Sequence, residues 1–105
     1  EAFKDKFQIP YIQDGMISAY AQYALLAQDR EERDKIVQRL KQNGVPSLIY
    51  YPVPMHKMKV FEGCFVGSET FVNTVSYADR TFSLPFSAYL KAEDQQRVID
   101  LVLSA

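Results

Sequence analysis

The sequence predicts a two-layer α/β (α+β) sandwich, built on a small three-stranded antiparallel sheet with helices on one face. Two observations predict it. Short β-branched or aromatic runs alternate with amphipathic helical runs in the order β-α-β-α-β-α. The chain has 105 residues and 48% hydrophobic content, which makes it a single domain over 1–105 that buries a core without staples.

The elements follow in order. Phe3, Phe7 and Ile9 are spaced like the tail of an amphipathic helix, which Pro10 ends. Gln13-Asp14-Gly15 reads as a turn. Residues 18–26 carry Tyr20 and Tyr23 and no breaker, so they read as a strand with Ala19, Ala21, Tyr23 and Leu25 on one face. Asp29 is an N-cap and Glu32 completes a capping box. A helix over 30–43 follows, with Ile36, Val37 and Leu40 as its apolar stripe and Gly44 just past its end. Its remaining positions, including Glu31 and Lys35 one turn apart, read as a solvated outer face.

Pro46 leads into a strand over 47–51, Ser-Leu-Ile-Tyr-Tyr, which Pro52 and Pro54 stop. Residues 52–67 form a connection of a length that in compact domains is functional or disordered. Ser68 caps a helix over 69–79 with Phe71, Val72, Val75 and Ala78 inward. Residues 81–84 make a third strand, closed by Pro85. Glu93 and Asp94 suit the first turn of a last helix that runs to Leu103, its stripe being Val98, Leu101 and Val102.

Charge narrows the partners. With 12 Lys and Arg against 13 Asp and Glu, there is no electrostatic footprint for nucleic acid or an anionic membrane. No apolar run approaches the roughly 20 residues that span a bilayer. The opening Glu1-Ala2-Phe3-Lys4-Asp5 is charged, so no signal peptide is expected, and without an initiator methionine the sequence is expected to be a piece of a longer one. The lone Cys64 forms no internal disulfide; it fits a cytoplasmic setting and reads as a loop thiol of no consequence.

The stretch 47–56 is the one that suggests a site. Two prolines two apart hold a stiff path that presents His56, the sole histidine, at the strand's end. The bland alternative is a loop histidine with local hydrogen bonds. Without a second His or a Cys-x-x-Cys, no metal site is expected. One histidine also leaves the serines without a base and its orienter, and 63–67 lacks the spacing of a phosphate cradle. Arg80 reads either as an anion ligand or as a helix-end arginine satisfying carbonyls. Tyr20, Tyr23, Tyr50 and Tyr51 would lie on strands, where they stack on a planar ligand or serve core and interface. A two-layer domain cannot bury both sheet faces, so something else is expected to cover one.

The run Tyr50-Tyr51-Pro52-Val53-Pro54-Met55-His56 follows a capped helix and Gly44-Val45-Pro46. It precedes Thr81-Phe82-Ser83-Leu84-Pro85 and the acidic start Ala92-Glu93-Asp94. In that order these motifs resemble the C-terminal small domain of the DegT/DnrJ/StrS sugar aminotransferases, over residues 16–103. The resemblance implies a fold-type-I, pyridoxal-phosphate-dependent homodimer that aminates keto groups on nucleotide-linked sugars, for surface polysaccharides or amino-sugar metabolites. It implies that Tyr51, His56 and, more weakly, Tyr50 line the substrate side of the cleft. Tyr50 departs from the family, many of whose members carry His there. The large domain, with its Schiff-base lysine and phosphate cup, is absent from these residues. No catalytic or cofactor-binding residue is therefore expected here, and the 105 residues alone are expected to be inactive and to carry no pyridoxal phosphate. The competing expectation is an independent small α/β ligand-binding or regulatory module.

Overall fold

A computed structural model describes residues 2–64 and 70–105. Its elements are strand β1 (Tyr23–Leu26), helix α1 (Arg30–Gln42), helix α2 (Val72–Arg80), strand β2 (Thr81–Leu84) and helix α3 (Ala92–Leu103). Two single 3-10 turns, Met55–Lys57 and Lys59–Phe61, lie between α1 and α2. β1 and β2 are antiparallel, with Tyr23 opposite Leu84 and Leu25 opposite Phe82. Side chains alternate across a strand, so those four residues share the core face. Ile36 and Leu40 of α1 and Val98 and Val102 of α3 join the same buried cluster, with Phe3 and Phe7.

α1 forms as its sequence dictates. The Glu32 N–H donates to Asp29 Oδ1 at 2.8 Å. Glu32 Oε2 in turn accepts from the Gln28 N–H at 2.7 Å, one residue earlier than the usual capping box. At the other end the Val45 N–H donates to Leu40 O (2.9 Å) and the Gly44 N–H to Lys41 O (3.1 Å), a Schellman motif. Gly44 sits at φ +70°, where a Cβ crowds the following carbonyl. Gly44→Ala is therefore expected to cost about 1–2 kcal/mol, measured as a shift in the urea midpoint at constant slope.

The outer face of α1 is not wholly solvated. Glu31 and Lys35 do pair at 2.8 Å, and that hydrogen bond raises the Lys35 pKa. Arg33, however, is buried, at 4% exposure. Its Nη1 donates to Ala78 O (3.2 Å) and its Nε to Asp34 Oδ1 (2.6 Å), with Thr81 O at 3.5 Å from Nη1. Arg33 thus ties α1 to the α2–β2 junction, which Arg30 also reaches through Asp79 at 3.6 Å. Arg80 also takes the structural role, its Nε donating to Ala27 O at 2.7 Å while the Ala27 N–H donates to Arg80 O at 3.0 Å.

The expected three-stranded sheet is corrected to two strands among the described residues, with one isolated bridge on each edge: Gln8 to Leu26 and Leu48 to Ser83. Proline limits each bridge at one end only. The register pairing Leu48 with Ser83 next brings Pro46 opposite Pro85, and neither has an N–H to donate. The register pairing Gln8 with Leu26 next brings Pro10 opposite Ala24, with the same result. Toward the other end of the expected strand 47–51, the Leu48–Ser83 register brings Tyr50 opposite Thr81, where no proline stands and no pairing forms. The strand expected over 18–26 shortens to Tyr23–Leu26, since Tyr20 sits at φ +43°, outside the β region. The helical tail expected at Phe3–Ile9 is a single turn, closed by the Phe7 N–H to Phe3 O at 2.9 Å; Phe3 and Phe7 are buried and Ile9 is turned outward.

α2 is corrected too. It starts at Val72, and Phe71 and Val72 are exposed where an inward stripe was expected; Ala78 is its one buried residue. The expected cap, Ser68, lies outside the described residues. α3 follows the sequence, with Val98 and Val102 buried and Leu101 half-buried.

Candidate functional site

The corner after Leu48 is built by backbone. Pro54 O accepts from the Lys57 N–H (2.9 Å) and Met55 O from the Met58 N–H (3.0 Å), closing the turn that carries His56. Tyr50 and Tyr51, joined by a cis peptide bond, set their rings edge to face at 5.5 Å. Tyr51 is 68% exposed and Tyr50 half-buried. His56 is half-buried and stacks on Phe71, with centroids 4.8 Å apart and planes at 32°. The three candidates therefore share one corner of the chain but not one cavity. Tyr50 lines a hollow of about 260 Å³ with Pro46, Leu48, Ser83 and Phe86, in which neither Tyr51 nor His56 takes part.

That hollow lies on the side of the sheet away from the core. A second hollow, of about 400 Å³, shares Gln22 with it and is lined by Ile9, Tyr11, Ala24, Leu26 and Tyr77. The alternation that sends Leu25 and Phe82 inward sends Ala24, Leu26, Thr81 and Ser83 this way. On that face Thr81 and Ser83 are buried and Ala24 and Leu26 half-buried, with the two hollows and their aromatic rims beside them. The strand tyrosines expected to line it are placed differently: Tyr23 is on the core face, and Tyr20, Tyr50 and Tyr51 lie off the strands.

Tyr20 and Tyr23 instead meet at 5.7 Å, with Phe86 6.4 Å from Tyr20. These three line an open pocket of about 530 Å³ with Phe3, Ser87, Gln95 and Val98. Burial, and then the neighbouring Tyr20, raises the Tyr23 phenol's pKa.

Two residues of this region escaped the sequence reading. Arg33 had a signal, since 33, 36 and 40 follow the helical stripe. Phe71, expected on an inward stripe, had none for its contact with His56, 15 positions away in a loop. Its backbone is left-handed, at φ +48°, a conformation that costs a residue with a Cβ about 1–2 kcal/mol. Among the described residues, no group of three His, Cys, Asp or Glu could hold a metal ion. Also among them, no helix is long and apolar enough to cross a membrane.

The sequence matches the DegT/DnrJ/EryC1/StrS aminotransferase family over residues 3–103. The chain belongs to this family. A pleiotropic regulatory protein from Geobacillus stearothermophilus is 30% identical over 102 residues, which are 97% of this chain and 27% of that protein. A dTDP-3-amino-3,4,6-trideoxy-alpha-D-glucose transaminase from Streptomyces venezuelae is 32% identical over 72 residues, 69% of this chain and 19% of the enzyme. The crystal structure of a DegT DnrJ EryC1 StrS aminotransferase from Brucella abortus superposes with a TM-score of 0.86 at 31% identity, covering 98% of this chain and 27% of that one. The chain thus spans about a quarter or less of these relatives.

The family implies pyridoxal phosphate in the full-length enzymes, but the residues of this DegT-family chain do not fit that group. A Schiff-base lysine is activated by desolvation or a nearby cation. Here every lysine is exposed, and the Lys35 pKa is pushed up by its hydrogen bond to Glu31, away from nucleophilicity. No chemical step is therefore assigned to these residues.

Proposed function

We propose that this chain is the small, substrate-side domain of a pyridoxal-phosphate-dependent nucleotide-sugar aminotransferase, a cytoplasmic homodimer that aminates a keto sugar for surface polysaccharide or amino-sugar biosynthesis. In this reading the remainder of a longer protein supplies the lysine and the cofactor, and the 105 residues alone are inactive. The side of the sheet away from the core, with its two hollows and exposed aromatics, is the surface that remainder packs on. Tyr51 and His56 meet the nucleotide-sugar, and Tyr50 is the weaker third contact. The observation that carries the proposal is the family match over residues 3–103, which includes the proline-held corner with Tyr51 exposed and His56 half-buried. A match of that extent favours an enzyme part over an independent module.

The test is His56→Ala and His56→Asn in the full-length enzyme. The turn is closed by backbone hydrogen bonds and held by two prolines, so folding is expected to survive. A contact made equally in ground and transition states raises KM and spares kcat. Losing one hydrogen bond to a charged group costs about 1.5–3 kcal/mol, or roughly 10- to 150-fold in kcat/KM. Unchanged kinetics return His56 to an ordinary loop residue. A collapse in kcat with KM preserved assigns the ring to the chemistry instead.

A further inference from the structure

We propose that the pocket lined by Tyr20, Tyr23 and Phe86 is a binding site for an uncharged planar heterocycle. The ring chemistry is the same whether it belongs to a free compound or to the base of a nucleotide-linked substrate. Only the second source rests on the substrate-side reading above.

The pocket holds about 530 Å³, within the roughly 300–1,000 Å³ of small-molecule sites. Among the described residues that line it there is no Asp, Glu, Lys, Arg or His. Two other surface hollows differ in this respect. One is lined by Asp29, Arg30, Asp79 and Arg80, the other by Arg39, Glu93, Arg97 and Asp100. A phosphate, a carboxylate or an ammonium group would give up hydration in the charge-free pocket and meet no counter-charge there. What the lining offers is aromatic rings together with the neutral polar residues Tyr20, Tyr23, Ser87 and Gln95. Burial, and then Tyr20, raises the Tyr23 pKa, so that phenol keeps its proton as a donor. Ser87 Oγ accepts from the Tyr89 N–H at 3.1 Å, which leaves its own O–H to donate. A flat ring with hydrogen-bonding groups around its edge matches both kinds of lining.

The backbone sets the aromatic wall by breaking a strand. Tyr20 and Tyr23 are three positions apart, and in an unbroken strand they would face opposite ways. At φ +43° Tyr20 leaves the β region, and its N–H donates to Ser18 Oγ at 3.2 Å. Its ring then meets Tyr23 at 5.7 Å and 57°, and Phe86 at 6.4 Å and 69°. Core packing does not account for this arrangement. Tyr23 packs against the buried cluster, but Tyr20 and Phe86 are outside it, and Phe86 is 45% exposed. A left-handed residue with a Cβ, held away from the core, is the kind of outlier that marks a ligand contact. The pocket also shares Leu84, Pro85 and Phe86 with the Tyr50 hollow, so the two are neighbours.

Thymidine is the probe, and saturation transfer from the full-length enzyme is the readout. Thymidine is expected to bind; orotate, a planar ring that carries a carboxylate, is expected not to. Tyr20→Phe should stay near wild type, whereas Tyr20→Ala should weaken binding about 5- to 150-fold, the worth of one base–aromatic stack. Ala88→Phe adds bulk at an exposed position of the lining and removes nothing from the core. It should block binding with Tm unchanged. No transfer to thymidine, equal binding of orotate, or an affinity unchanged in both Tyr20→Ala and Ala88→Phe would overturn the site.

A dTDP-linked 3-oxo sugar then separates the two sources. Displacement of thymidine, with KM raised and kcat kept in Tyr20→Ala, assigns the pocket to the substrate's base. Simultaneous binding of both assigns it to a free ring compound. If His56→Ala leaves KM unchanged, the substrate-side reading fails, and the thymidine titrations still decide whether this pocket binds a ring.

Discussion

Phe82→Ala is expected to lose about 3–5 kcal/mol of stability, the largest effect of any substitution considered for this chain. Phe82 has no exposed surface and lies at the centre of the pairing, opposite Leu25. Phe7 meets it edge to face at 5.7 Å, and Phe3 meets Phe7 at 6.0 Å. Truncation removes the ring's transfer free energy and leaves a cavity between strand, helix and N-terminal turn, which three elements cannot close together. Urea unfolding measures it. Phe86→Ala, at a 45% exposed position two residues beyond β2, should cost a fraction as much. Equal costs would mean that the core is centred elsewhere.

Arg33→Ala should follow, at about 2–3 kcal/mol. A charged donor is lost from the Ala78 carbonyl, with Thr81 O nearby, and the buried stem of the side chain goes with it. Arg33→Lys should recover little, because an ammonium cannot reproduce the fork that serves Asp34 and the two carbonyl positions together. Arg39→Ala, on a partly exposed side chain of the same helix, is the control. A loss at Arg33 no larger than at Arg39 would reduce the α1–α2 tie to a surface contact.

Much of the fold was legible because it is local. Asp29, Glu32 and Gly44 act within a few positions of themselves, and α1 begins and ends where they put it. The stripes of α1 and α3 were legible from a 3.6-residue period. The aminotransferase motifs were legible as an ordered set, and the family match spans them. The candidate site was legible only in part. The prolines indicated a corner before His56, and backbone hydrogen bonds close a turn there; that His56 meets Phe71 and that Tyr50 faces a hollow without Tyr51 or His56 were not indicated by any spacing.

Sequence by itself thus determined the caps of α1, the stripes of α1 and α3, and the family. Tertiary structure decided the sheet. Pro10 and Pro46 are visible in the sequence, but what each one blocks depends on which residue it faces. The β1–β2 register is fixed by burying Leu25 and Phe82 on one face, because a slip of one residue would turn side chains outward; the bridges to Leu48 and Gln8 then set Pro46 against Pro85 and Pro10 against Ala24. A proline ends a ladder only where its missing N–H would have been the next donor. That position is a property of two segments brought together, and neither segment carries it alone.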